Sequence, residues 1–161
     1  IGAGQDAWGG YYTSMRPPYQ AAHQAFASPS ELKLVAGVTP EIIKLLSPYV
    51  TALPEVTALN INTVSPAVLK AMNPDLTKAA LEPLFFLREQ GGIRTVGVLN
   101  TLSNKLGLTM MILGIQSQYF LSIATVEQGH KTLTVYTVLR RLERKPNEWD
   151  VTVVRESFNV L

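Results

Sequence analysis

Chemistry in a chain of this size needs a nucleophile, a base and something to orient them, and the candidates here are few. His23 and His130 are the two histidines. They stand far apart in sequence, one in a loop and one at an expected turn, and neither belongs to a metal-ligand spacing such as HExxH. Both read as solvated or packing histidines. Ser14, Ser47 and Ser117 supply hydroxyls, but none sits in a GxSxG elbow, and no phosphate-cradling GxxxxGKS/T run occurs. Glu31 with Glu41, or Glu82 with Glu89, would be the carboxylate pairs for acid/base work, yet carboxylates on helix surfaces are ordinarily just solvated. There are no cysteines, which removes disulfides and thiolate metal sites. No catalytic set emerges, so the chain reads as non-enzymatic, with no catalytic or cofactor-binding residue to name.

Charge chemistry is the next possibility. Arg140, Arg141, Arg144 and Lys145 form a basic cluster that would suit a polyanion or a membrane surface, but Glu143 and Glu148 interrupt it. Opposite charges dilute the local field, and charges at a hairpin end commonly serve solubility. Lys plus Arg is 14 and Asp plus Glu is 12, a net charge of only +2. That is not the footprint of a nucleic-acid binder.

The elements behind these side chains begin with residues 59–74, LNINTVSPAVLKAMNP. Asn60 and Asn62 can hydrogen-bond their own backbone, Ser65 can cap a following helix, and Pro66 suits the first helical turn, where no donor is required. The segment has a partner upstream: Ser28, Pro29, Leu32 and Lys33 stand where Ser65, Pro66, Leu69 and Lys70 stand later. In the first copy Gly37 follows a short helix and Thr39 and Pro40 can cap the next, predicting a helical hairpin. A helix-hairpin-helix nucleic-acid-binding module is the alternative function such a repeat suggests. The second copy opposes it, because Asn73, Pro74 and Asp75 replace the glycine turn, removing a donor and adding negative charge where phosphate would approach.

The pattern predicts an α+β chain. Residues 1–27, rich in Gly, Tyr, Pro and Gln, form an irregular lead-in pinned by aromatic side chains. Residues 28–114 are helical, with Leu81, Leu84, Phe85 and Arg88 at helix spacing, Gly91 and Gly92 as a stop, and Val96, Leu99, Leu102 and Leu106 on another short amphipathic helix. Met110 and Met111 beside Ile112 and Leu113 read as core or as an interface hinge. Residues 115–161 form a C-terminal antiparallel sheet: strands at 119–126, 132–141 and 149–157, with turns at Gln128-Gly129 and Pro146-Asn147.

With 47% hydrophobic and 16% charged residues the chain can bury a real core. The longest apolar run, around residues 106–115, is broken by Gly107 and Gly114 and falls short of membrane-spanning length. Along the second strand Leu133, Val135, Thr137 and Leu139 share one face while Thr134, Tyr136 and Val138 share the other. Neither face is plainly polar, so a covering element is expected, either ahead of Ile1 or from a partner. A chain that starts at Ile1 and not at Met reads as a processed or trimmed product.

Tyr11-Tyr12 through Arg16-Pro17-Pro18-Tyr19, then SELKLVAGVTPE, SPYVTALP, LNINTVSPAVL, SQYFLSIATV and TVYTVLRR, together resemble the general secretion pathway protein K family of minor pseudopilins in type II secretion. The likeness runs over nearly the whole chain, in order and with similar spacing. The resemblance implies a helical domain of helix-hairpin-helix or SAM-like repeats inserted into a pilin-like fold. The insert would cover roughly residues 11–108, and the pilin-like sheet, here lacking its N-terminal helix, roughly residues 117–160. It also implies a leader cleaved by a prepilin peptidase, an inner-membrane anchor through an N-terminal helix absent from this chain, and a periplasmic location. The implied role is a bulky tip of a short pseudopilus. The implied partners are the I-type and J-type minor pseudopilins, the pseudopilus itself and secreted substrate proteins, with no nucleic acid. Some members of the family bind calcium, but no ligand set matches here residue by residue, so the metal residues are unknown. Asp6, the only carboxylate in the lead-in, falls short of the roughly six to eight oxygens that ion takes.

Overall fold

Capping side chains decide where the helices begin. The computed structural model describes residues 9–159 apart from Ala22 and Asn147. A short helix α1, Gly9–Ser14, lies within the segment expected to be irregular. It is pinned by aromatic contacts: Tyr12 packs on Tyr11 and Tyr19 at ring separations of 5.4 and 5.1 Å, and Tyr19 donates to the carbonyl of Leu34 at 2.5 Å.

The two related segments both fold as helix, turn, helix. In the first, Ser28 caps a 3-10 helix, Pro29–Leu34, in a capping box whose Glu31 carboxylate accepts from the Ser28 N–H at 2.9 Å. Gly37 takes φ +79°, and Thr39 caps α2, Pro40–Leu46. In the second, Ser65 caps α3, Pro66–Met72, and Thr77 caps α4, Lys78–Glu89. Gly91 and Gly92, both at positive φ, end that helix, and Thr95 caps α5, Val96–Lys105.

The copies differ in burial. No residue of the 3-10 helix or α2 is fully buried. The core lies instead in residues 61–113, where Ile61, Leu69, Leu81, Leu84, Leu99, Leu102 and Leu106 pack together. On α5 the buried positions follow helix spacing. Burying each such leucine stabilises by about 1.5–3 kcal/mol.

A two-residue strand β1, Leu59–Asn60, pairs in parallel with β2, Leu113–Gly114, bringing the LNINT segment beside the exit from the helices. The sequence reading did not anticipate this pairing; two residues are too few to show a period.

Three strands follow in the order β3, Tyr119–Gln128, β4, Lys131–Lys145, and β5, Glu148–Phe158, paired antiparallel throughout. The strands run longer than the sequence pattern predicts, because charged and polar ends such as Glu127-Gln128, Glu143 and Lys145 pair across the ladder, with Arg144 left in a register shift. Gly129 at φ +60° turns the first hairpin. Pro146 sits in the second turn, and its expected companion Asn147 lies outside the described residues.

Candidate interaction surface

The three serines, Glu31 and Glu41 are engaged in structural hydrogen bonds. Ser14 and Ser47 donate to carbonyls three residues back, and Ser117 accepts from the Asn60 side chain at 3.0 Å. Glu31 closes a cap. Hydrogen bonds from the Thr39 side chain and from its own backbone N–H hold Glu41 below the usual carboxylate range. Glu82 and Glu89 lie exposed on α4. His23 sits in an exposed loop and His130 at the β3–β4 turn. No group of three His, Cys, Asp or Glu able to hold a metal occurs among the described residues, and Asp6 is outside them. No helix among them is long and apolar enough to cross a membrane.

The basic cluster is spent on neighbours. Arg140 pairs with Glu55 at 2.5 Å, Arg144 with Asp150, and Lys145 with Glu148 at 3.5 Å. Arg141 lies between the rings of Phe120 and Trp149, 4.9 and 4.5 Å from their centroids. No strong basic field is left for a polyanion. Of the two methionines, Met110 packs against the core while Met111 is 92% exposed.

Strong polar fixtures surround the LNINT segment. The Asn62 side chain accepts from the Ile93 N–H at 2.7 Å and donates to the carbonyls of Ile93 and Ile115, both at 3.0 Å. The Arg88 guanidinium donates to the carbonyls of Ile61 at 2.6 Å and Val64 at 2.7 Å, and burial pulls its pKa down from the ordinary arginine value. Asn73, in the turn of the second hairpin, donates to the carbonyl of Leu106 at 2.8 Å and accepts from Asp75 N–H. That turn is tied into the helical core and presents no row of free N–H groups to phosphate.

The surface left over is the sheet. Cross-strand register puts Phe120, Leu139 and Val153 in one row, Ala124, Val135 and Phe158 in another, and Val126 beside Leu133, all on one face. Val153 is 62% exposed, Val126 61% and Phe158 56%. Period-two alternation puts Leu121, Val138 and Arg155 on the opposite face, and these turn toward residues 47–65 across a cleft. Val138 is the one buried hydrophobe of the three-stranded sheet among the described residues. Exposed apolar side chains side by side on a sheet face are the kind of surface that association covers.

Residues 3–55 and 59–120 match two family models, each describing the type II secretion system protein K. Curated relatives of that name include one from Aeromonas hydrophila, 46% identical over 57 residues, covering 35% of this chain and 17% of the relative. The relative from Pseudomonas aeruginosa is 31% identical over 141 residues, covering 85% of this chain and 41% of its own length. The one from Pectobacterium carotovorum subsp. carotovorum is 27% identical over 127 residues, covering 73% of this chain and 39% of itself. The chain belongs to the type II secretion system protein K family and is a component of that secretion machinery. It spans about two fifths of the length of the two relatives it matches most extensively.

Proposed function

We propose that this chain is the distal part of a minor pseudopilin, a non-enzymatic structural subunit at the tip of the type II secretion pseudopilus. In this reading residues 28–114 are the helical insert that makes the tip bulky, and residues 115–161 are the sheet of a pilin-like unit. The protein would sit in the periplasm, anchored in the bacterial inner membrane by an N-terminal helix, and assemble with the I-type and J-type minor pseudopilins. The observation that carries the reading is the exposed apolar face bearing Val126, Val153 and Phe158 beside a separately cored helical block. A sheet with one bare apolar face needs a covering helix, and family membership makes the protein's own N-terminal helix and its sister subunits the natural covers.

Co-purification tests it. The full-length protein, N-terminal helix included, is mixed with I-type and J-type minor pseudopilins and run on a sizing column. A three-component complex is the expected result, and separate elution of all three at micromolar concentration removes the reading.

A further inference from the structure

Between α2 and β1 runs a stretch without regular structure, residues 47–58, in which Val56 is wholly exposed. Its far end is nevertheless fastened to the sheet. Glu55 pairs with Arg140 at 2.5 Å and accepts from the Tyr119 hydroxyl at 2.7 Å, while Thr57 donates to the Gln118 side chain at 3.2 Å. Burial first, and then the hydrogen bond to Glu55, raise the Tyr119 pKa above the ordinary tyrosine value, so the phenol stays a donor. At the other end of the hairpin, Arg155 on β5 donates to the carbonyl of Ala27. Under the stretch lies a cleft of about 490 Å³, walled by Tyr49, Val50 and Leu53 on one side and by Leu121 and Val138 of the sheet on the other.

The hairpin ahead of this stretch has no fully buried residue, so hydrophobic burial does not lock it in place. Its hold on the sheet is polar and lies at its two ends: Arg155 grips the Ala27 carbonyl ahead of the hairpin, and Glu55 with Thr57 ties the stretch behind it. We infer that residues 47–58 are a latched strap: Glu55, gripped by Arg140 and Tyr119, holds the first helical hairpin against the sheet. Releasing that carboxylate lets the strap end of the hairpin swing away about the remaining Arg155–Ala27 contact and opens the cleft, while the residue 61–113 core and the sheet stay folded. The latch is a property of this chain alone and does not depend on the assembly reading.

The chain has no cysteine, so two introduced thiols label it uniquely. Spin labels at Leu45→Cys and Val126→Cys, both exposed positions, report the distance from hairpin to sheet. With Glu55 intact a single narrow distance distribution is expected. Glu55→Gln should add a longer, broad component, raising the open fraction about two- to fivefold for the loss of a half-exposed ion pair, with circular dichroism unchanged. The swap Glu55→Arg with Arg140→Glu should restore the narrow distribution. An unaltered distribution in Glu55→Gln, a broad distribution with Glu55 present, or failure of the swap to narrow it would each overturn the latch. Should Glu55→Gln lose its fold, Tyr119→Phe removes one half of the grip, and an unchanged distance there would be equally decisive against it.

Discussion

Asn62 and Ile93 form a closed pair: the Asn62 carbonyl oxygen accepts from the Ile93 N–H at 2.7 Å while its amide donates back to the Ile93 carbonyl at 3.0 Å. The same amide reaches the Ile115 carbonyl, so one side chain ties the start of the helical core to the loop after α4 and to the exit toward the sheet. Asn62→Ala leaves an N–H and two carbonyls without this partner. We expect a loss of about 2–4 kcal/mol, read as a lower urea midpoint with unchanged slope. Asn62→Asp keeps the acceptor but sets a carboxylate oxygen against those two carbonyls, and should lose at least as much as alanine.

Gly92 faces the same asparagine. Its φ is +85°, and a Cβ there would stand 3.0 Å from the Asn62 Oδ1. Gly92→Ala therefore combines backbone strain with crowding of a fixed side chain and should destabilise by about 1–3 kcal/mol. Gly129, at φ +60° with open space around it, is the control: Gly129→Ala should cost only the backbone part, about 1 kcal/mol. Equal losses at the two sites in thermal melts would contradict the crowding argument.

Arg88 supplies a fork whose geometry serves two carbonyls at once, those of Ile61 and Val64. Lysine carries the charge without the fork. Arg88→Lys should lose most of the roughly 1.5–3 kcal/mol that charged hydrogen bonds contribute, and Arg88→Met should lose about as much. Recovery of full stability by lysine in a denaturant titration would show that charge, not shape, matters there.

Val153 separates folding from docking. It projects from the bare face of an edge strand, so Val153→Ser should change stability by no more than about 0.5 kcal/mol. On the proposed assembly role, the same change should weaken association with the I-type and J-type minor pseudopilins at least severalfold in a titration followed by sizing chromatography. Unimpaired assembly would move the docking surface elsewhere.

Much of this architecture was legible from residue order because its causes are local. Thr39 and Ser65 cap the helices that follow them, as their positions predict, and Ser28 does the same at the matching place in the repeat, each reaching a backbone N–H within three residues. Strand alternation likewise placed Leu133 and Leu139 on one face and Val138 on the other, a consequence of the pleat alone. Asn62 shows where local reading stops. Its neighbour Asn60 does bond nearby backbone, accepting from the Asn62 N–H, whereas the side chain of Asn62 spans to Ile93 and Ile115.

Those partners lie 31 and 53 positions along the chain, and no spacing rule announces them. Whether a sheet face is covered has the same character. The alternation of side chains is written in the order of residues, but that Val138 turns toward residues 47–65 while Val153 stays bare depends on where the helical block comes to rest. Caps, turns and period thus belong to the sequence, since each is settled within a few peptide units. The clamp at Asn62, the grip on Glu55 and the choice of open face belong to the tertiary structure, since each requires groups that only packing brings together.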